Sequence, residues 1–117
     1  MKKIKISQIQ FQAQSTPSEN ADLLENFFVK SLKFKPDLIC TPECSNIITS
    51  DKNYLFKYTN YQDDCPIIKM ACNFAKKNKI NINIGSLLLK VKNKKKLVNR
   101  SILINTKGVS NVFMIRY

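Results

Sequence analysis

The stretch Asp37-Leu38-Ile39-Cys40-Thr41-Pro42-Glu43 is the most informative part of this chain. It is a short apolar run that ends abruptly in Pro-Glu, and a helical pattern precedes it. Such a run predicts a buried strand over residues 37–41 that delivers a carboxylate at its C-terminal tip. Many α/β enzymes present an acid or a base to a cleft in this way. Glu43 is therefore the leading candidate for a catalytic residue.

The residues before this strand predict a strand followed by a helix. Polar and apolar residues alternate, with one change of phase, over a predicted first strand at 3–11. Thr16-Pro17-Ser18-Glu19 then has the features of a helix start, because threonine can cap, proline suits the first helical position and Glu19 completes a capping box. Apolar residues recur at helical spacing up to residue 32, and Pro36 ends the helix.

The residues after Glu43 predict one more helix and three strands. Positions 44–64 lack clear periodicity and indicate a loop with room for a short helix. Asp63-Asp64-Cys65-Pro66 is expected to open the second helix, with a carboxylate as its cap. Alternating residues predict strands at 80–91, 97–104 and 109–117, with Gly108 in a turn that needs a positive φ. The order β-α-β-α-β-β-β predicts an α/β domain with parallel pairing first and antiparallel hairpins last.

Composition favours a small globular protein. A chain of 117 residues, 44% of them apolar, is expected to form at most one domain with a real core. No apolar segment is long enough to be a signal peptide or to cross a bilayer. The cysteines lack the spacing of a secreted disulfide scaffold, which favours free thiols in a cytoplasmic protein.

The net charge of +12 is weak evidence for a partner. Nearly all of the excess is lysine, and Arg100 and Arg116 are the only arginines, whereas bidentate recognition of bases or phosphates favours arginine. The densest run of lysines, at 90–96, falls where a hairpin turn is expected, so a solvated turn is its simplest interpretation. A basic binding module for RNA or an acidic partner is the alternative hypothesis.

A series of short segments, in order along nearly the whole chain, resembles the nitrilase or carbon-nitrogen hydrolase superfamily. Each segment alone is weak evidence, but the set in this order is specific. The residues around Glu43 are most similar to the Nit-type amidase branch, which acts on small ω-amides. The segments are QIQF at 8–11, Asn20, PDLICTPEC at 36–44, IGS at 84–86, VNRS at 98–101, NTKG at 105–108 and RY at 116–117.

The resemblance implies a fold and a mechanism. The fold would be the N-terminal part of a four-layer α-β-β-α sandwich, here a partial domain over residues 1–117, and family members usually self-associate. Glu43 would be the general base of a Glu-Lys-Cys triad that hydrolyses a small amide without metal or cofactor. In family members the lysine and the cysteine follow the segment that ends at Tyr117, so this chain alone is expected to be a truncated, inactive hydrolase.

Other residues offer weaker candidates. Cys44 adjoins Glu43, but in an extended backbone its side chain points away from that neighbour, which argues against it as a nucleophile. The four cysteines could be drawn as a zinc site, but Cys65 and Cys72 are too widely spaced for paired ligands. A gene remnant with uncovered strand faces is a further hypothesis. Tyr54, Tyr58 and Tyr61 could line a substrate pocket, with exposed loop tyrosines as an equal alternative. The resemblance implies that Ser86, Asn99 and Arg100 lie near the cleft, with structural roles as the default.

Overall fold

The computed structural model describes residues 2–115, apart from the side chains of residues 113–115. No helix in this part of the chain is long and apolar enough to span a membrane. The described elements are β1 (Ile6–Gln8), α1 (Pro17–Ser31), β2 (Leu38–Thr41), α2 (Lys52–Tyr58), α3 (Pro66–Asn78), β3 (Asn81–Lys90), β4 (Leu97–Ile104) and β5 (Ser110–Ile115).

The strands form one sheet in the order β1-β2-β3-β4-β5. β1, β2 and β3 pair in parallel, and β3, β4 and β5 pair antiparallel. Parallel neighbours need a crossover, which α1 provides between β1 and β2, and which α2 and α3 provide between β2 and β3. The predicted α/β class and the predicted switch from parallel to antiparallel pairing are confirmed.

One face of the sheet carries the core. α1 and α3 pack against each other, with the rings of Phe28 and Phe74 5.3 Å apart, and both contribute to one cluster with the sheet. Side chains such as Ile39, Ile82 and Ile102 are fully buried there. Each such side chain stabilises the fold by roughly 1.5–3 kcal/mol relative to its exposed state.

The other face of the sheet is open within the described residues. Successive side chains of a strand point to opposite faces, so Ile6 and Leu103 lie on the face without helices. They are 55% and 37% exposed. The structure therefore shows two layers, a sheet and the helices on one side of it. We call the uncovered side the open face.

Several boundaries differ from those predicted. Only Ile6–Gln8 pair with β2 in the first strand. Ile6 lies on the open face and Ile9 on the core face, so apolar residues occupy first one face and then the other, which explains the change of phase in the pattern. α1 ends at Ser31, before Pro36, because a 3-10 turn over Leu32–Phe34 leads to Lys35 in the left-handed conformation, with φ of 49°.

The segment between Glu43 and α3 is more ordered than its sequence suggests. α2 begins after Asp51, whose carboxylate accepts a hydrogen bond of 3.1 Å from the Tyr54 N–H. The prediction that a carboxylate of Asp63 or Asp64 caps α3 is wrong. α3 has Cys65 at its N-cap, with no side-chain hydrogen bond, and Asp63 belongs to the preceding 3-10 turn, Gln62–Asp64.

The turn before β5 is as predicted. Gly108 has φ of 76°, a conformation that glycine adopts without steric cost. The Asn105 side chain accepts hydrogen bonds from the N–H groups of Lys107 and Val109, which fixes the turn. Arg116 and Tyr117, which the sequence predicts to finish the strand, lie outside the described residues.

Candidate active site

Glu43 lies in the turn that follows β2, at the carboxyl end of the parallel strands, where the sequence predicts it. Its side chain is exposed. The Asn99 amide Nδ2 donates a hydrogen bond of 3.5 Å to the Glu43 Oε1. Asn99 is buried on β4 and pairs with Leu88, so its side chain belongs to the open face. Glu43 therefore presents its carboxylate on the side of the sheet that the helices leave uncovered.

The turn that carries Glu43 is anchored on β3 by Ser86. The Cys44 N–H donates 2.9 Å to the Ser86 hydroxyl, and the Ser45 N–H donates 3.0 Å to the Ser86 carbonyl. Ser86 is available because β3 has one extra residue between Ile84 and Leu87, which interrupts its ladder with β4. Such a bulge re-aims side chains locally and is frequent next to active sites.

Gly85 lets the same turn approach β3 closely. A Cβ atom at this position would lie 2.4 Å from the Thr41 carbonyl oxygen and 2.8 Å from backbone atoms of Pro42. Only glycine fits beside a backbone at that distance. The Gly85 N–H also donates a hydrogen bond of 3.3 Å to the Thr41 hydroxyl. The residues immediately before Glu43 are thus fixed by close packing as well as by hydrogen bonds.

Asn46 fastens the far end of the turn. Its side-chain amide donates a hydrogen bond of 2.7 Å to the Leu88 carbonyl and accepts one of 3.0 Å from the Leu88 N–H, as the backbone of a neighbouring strand would. Its backbone carbonyl accepts 2.8 Å from the Asn20 side chain on α1. Asn20 and Asn46 are both fully buried. Buried amides with satisfied partners specify one conformation, so the turn is held from the helix side as well.

The family resemblance indicates Asn20, but nothing in the sequence indicates Asn46. An asparagine in an irregular stretch gives no periodic signal, because asparagine is common in loops for many reasons. Its partner, Leu88, is 42 residues away along the chain. Only the pairing of β2 with β3 brings the two residues together, so no local pattern could have identified Asn46.

Cys44 does not have the extended backbone on which its orientation was predicted. Its φ is 50°, in the left-handed region, so the alternation of side chains in a strand does not apply to it. Burial raises the pKa of the Cys44 thiol, the neighbouring Glu43 carboxylate raises it further, and a hydrogen bond with Ser86 partly lowers it. A thiol with a raised pKa stays protonated at neutral pH and is a poor nucleophile. That Cys44 is not the nucleophile stays a prediction, because the extended geometry from which it was made is not the one observed.

The other cysteines are structural in their placement. Cys65 is fully buried at the start of α3, whereas Cys40 and Cys72 are partly buried. Burial raises the pKa of all three thiols. Within residues 2–115, no three cysteine, aspartate or glutamate side chains lie together as a metal site would require.

The remaining candidates separate into two groups. Ser86 and Asn99 contact the Glu43 turn, as the resemblance implied. Arg100 does not, because it points to the opposite side of β4 and its Nη1 donates 2.8 Å to the Gln62 side chain. Tyr54 and Tyr58 stack with ring centroids 4.4 Å apart on α2, and Tyr61 contacts Lys90.

The fold is similar to that of several amidases of known structure. No family model and no curated protein sequence matches the chain. An N-terminal amidase solved with a Gln-Gly peptide superimposes with a TM-score of 0.77 at 20% identity, over 97% of this chain and 27% of that one. The NitFhit protein of C. elegans gives 0.80 at 20% identity, over 95% and 27%.

An amidase from Nesterenkonia sp. AN1 gives a TM-score of 0.77 at 14% identity, over 96% of this chain and 44% of that one. That structure is a Glu-to-Gln mutant whose active-site cysteine has undergone Michael addition of acrylamide. The chain thus has the nitrilase fold over nearly all of its length, as its motifs predicted, and it spans between about a quarter and less than half of the length of these proteins.

Proposed function

We propose that this chain, which has the nitrilase fold, is the N-terminal part of a carbon-nitrogen hydrolase in which Glu43 is the general base. The observation that carries the proposal is the anchored turn that presents Glu43 beside Asn99 on the open face. Solved structures with the same fold are amidases, one of them with an active-site cysteine. The substrate would be a small amide, with the Nit-type ω-amides as the class that the motifs favour.

The proposed chemistry needs a carboxylate, a thiol and an ammonium group. Glu43 takes the proton of a cysteine thiol, and the thiolate attacks the amide carbon. A lysine ammonium stabilises the oxyanion, which collapses to a thioester while the nitrogen leaves as ammonia or an amine with the proton from Glu43. Water, deprotonated by Glu43, then hydrolyses the thioester. Asn99 contributes by holding the Glu43 carboxylate toward the open face.

The resemblance matches no residue of this chain to the cysteine or the lysine of the triad. The 117 residues alone should therefore not hydrolyse amides. The open face agrees with a missing layer, since apolar side chains such as Ile6 and Leu103 are exposed on it. A second sheet packed there would complete the four-layer sandwich and enclose Glu43. Self-association and a cytoplasmic location stay predictions.

The proposal is tested by extending the chain with the in-frame coding sequence that follows Tyr117. We expect a lysine within a few codons and a cysteine further on, and an extended protein that releases ammonia from small ω-amides. Glu43→Gln should lower kcat/KM by about 10²–10⁴, the usual contribution of a general base. Glu25→Gln, which removes an exposed carboxylate on α1, is the matched control and should have no effect.

Equal activity of the Glu43→Gln and wild-type extended proteins would contradict the role of Glu43. Turnover by the 117-residue chain itself, abolished by Glu43→Gln, would contradict the need for a further lysine and cysteine. An in-frame stop directly after Tyr117 would instead favour a remnant, or a site completed by a second polypeptide.

The alternative, a basic module that binds RNA or an acidic partner, rests on the lysines between β3 and β4. Lys92, Lys94, Lys95 and Lys96 are all exposed in this turn. A binding module would associate with polyuridylate in a strongly salt-dependent way, because each neutralised phosphate releases a counterion. Affinity that hardly changes between low and physiological salt, or no binding at all, would leave the lysines as a solvated turn.

A further inference from the structure

We infer that a cavity at the end of β3, beside the middle of β4, binds a phosphate group carried by a small molecule. The cavity has a volume of about 330 Å³ and lies where the start of the α3 segment meets the end of β3 and the middle of β4. Its polar lining is Tyr61, Gln62, Asp63, Lys90, Lys92 and Arg100. None of these residues takes part in the proposed amide hydrolysis.

The walls of the cavity are held together by backbone and side-chain contacts. The Lys90 N–H donates 2.9 Å to the Asn60 carbonyl, and Tyr61 forms an isolated parallel bridge with Lys90. On the other side, Arg100 Nη1 donates 2.8 Å to the Gln62 Oε1. Three segments distant in sequence are thereby fixed around one space, so the site is formed before any ligand arrives.

The charge of the lining favours an anion. Lys90, Lys92 and Arg100 are cationic, and Asp63 is the one carboxylate among the lining residues, so the lining carries an excess of two positive charges. Like charges that converge on one cavity repel each other, and a bound dianion would relieve that repulsion. Lys90 is further held by the Tyr61 ring, with its Nζ 5.8 Å from the ring centroid.

Arg100 is incompletely satisfied. Its Nε is shielded from solvent and has no acceptor among the residues whose side chains are described. Burying a hydrogen-bond donor without a partner is unfavourable, and a guanidinium group is shaped to donate two parallel bonds to a phosphate or carboxylate. Among the described side chains Gln62 accepts a hydrogen bond from Nη1 only, and Arg100 lines the cavity, so its guanidinium has donors left for an anion there.

The size of the cavity suits a small ligand. It lies at the lower end of the range for small-molecule sites, enough for a phosphate with a small organic group. A polynucleotide would instead follow the exposed lysines of the β3–β4 turn and would make little use of Arg100. A phosphate monoester is thus the ligand class that the lining and the size together favour.

The test is a titration of the 117-residue chain with inorganic phosphate at constant ionic strength, with chloride as the reference anion, followed by backbone amide NMR. We expect saturable shifts confined to the residues around Tyr61, Lys90 and Arg100. Arg100→Gln should weaken binding by about tenfold or more, because a charge-assisted hydrogen bond is lost. Arg100→Lys, which keeps the charge but not the fork, should weaken it by a smaller factor.

Two further variants keep the test decisive. Lys92→Gln removes an exposed lining charge without touching the core, and it should also weaken phosphate binding. Lys107→Gln removes an exposed charge in the β4–β5 turn, away from the cavity, and should leave binding unchanged. Equal effects of phosphate and chloride, or equal losses in the Lys92 and Lys107 variants, would overturn the inference. Tighter binding of polyuridylate that survives Arg100→Gln would overturn it in favour of a nucleic-acid surface.

Discussion

Gly85→Ala tests whether the turn that carries Glu43 depends on its close approach to β3. The added Cβ would lie 2.4 Å from the Thr41 carbonyl oxygen and 2.8 Å from the Pro42 carbonyl carbon and oxygen. Ordinary contacts of a Cβ atom begin at 3.4 Å. The Thr41–Pro42 backbone must therefore move away from β3 by about 1 Å, since the clashing atoms are main-chain atoms that cannot rotate aside.

Overpacking of this kind costs about 1–3 kcal/mol. The shift also strains the two hydrogen bonds from Cys44 and Ser45 to Ser86, each worth about 1 kcal/mol. Replacing glycine by alanine stabilises by about 0.4–1 kcal/mol through the unfolded state, which offsets part of the cost. We expect a net loss of about 2–3 kcal/mol, or a fall in Tm of about 10 °C for a chain of this length.

The assay is thermal unfolding followed by circular dichroism, together with the amide NMR signals of the turn. Gly108→Ala is the matched control, because its Cβ would meet the Cys72 carbonyl oxygen at 2.7 Å, in a different part of the molecule. Both variants should lose stability, but only Gly85→Ala should shift the signals of Cys44 and Asn46. An unchanged Tm in Gly85→Ala, or identical changes in the turn for both variants, would show that the turn does not depend on its close approach to β3.

Three other predictions concern the same turn and the open face. Asn46→Ala should lower the free energy of unfolding, measured by denaturant titration, by about 3 kcal/mol, since it leaves both Leu88 backbone groups without partners. The control Asn111→Ala, on the exposed part of β5, should have little effect. Alkylation of Cys44 by iodoacetamide should be slow at neutral pH and accelerate only as the pH rises above 9, because burial and the Glu43 charge raise the thiol pKa and only the thiolate reacts. Glu43→Gln removes that charge and should make the reaction faster at a given pH. An unchanged rate would contradict this prediction. Leu103→Glu should reduce self-association in sedimentation experiments by charging the open face, while the same change at exposed Val109 should not; equal behaviour would show that the open face is not the surface that associates.

Local sequence patterns were enough to predict where Glu43 lies. The apolar run from Leu38 to Thr41 has the length of a buried strand, and the Pro-Glu pair ends it. The start of α1 was equally readable, since the Glu19 N–H donates to the Thr16 hydroxyl, as a cap requires. These signals are local because strand termination and helix capping depend on residues within one turn of the chain.

The support around Glu43 could not be predicted, because it depends on residues from different strands. The bulge at Gly85 is hidden in the sequence, since apolar residues continue through Leu87, Leu88 and Leu89 and mask the switch of faces. The left-handed conformation of Cys44 has no glycine to signal it. Tertiary contacts override local preference at both positions, as is expected near a functional site.

The extra residue in β3 has a consequence for how this protein can change. Deleting Ser86 would give β3 and β4 an uninterrupted ladder, because the pairs Ile84–Ile102 and Leu87–Arg100 would then be separated by one residue on each strand. Every remaining side chain would keep its present face. The pairing of β3 with β4 would become more regular, whereas the Glu43 turn would lose the residue to which it is attached. Selection for thermal stability alone should therefore remove this residue, whereas selection for the site should retain it, so an irregular β3 in a descendant of this chain would indicate that its Glu43 is still in use.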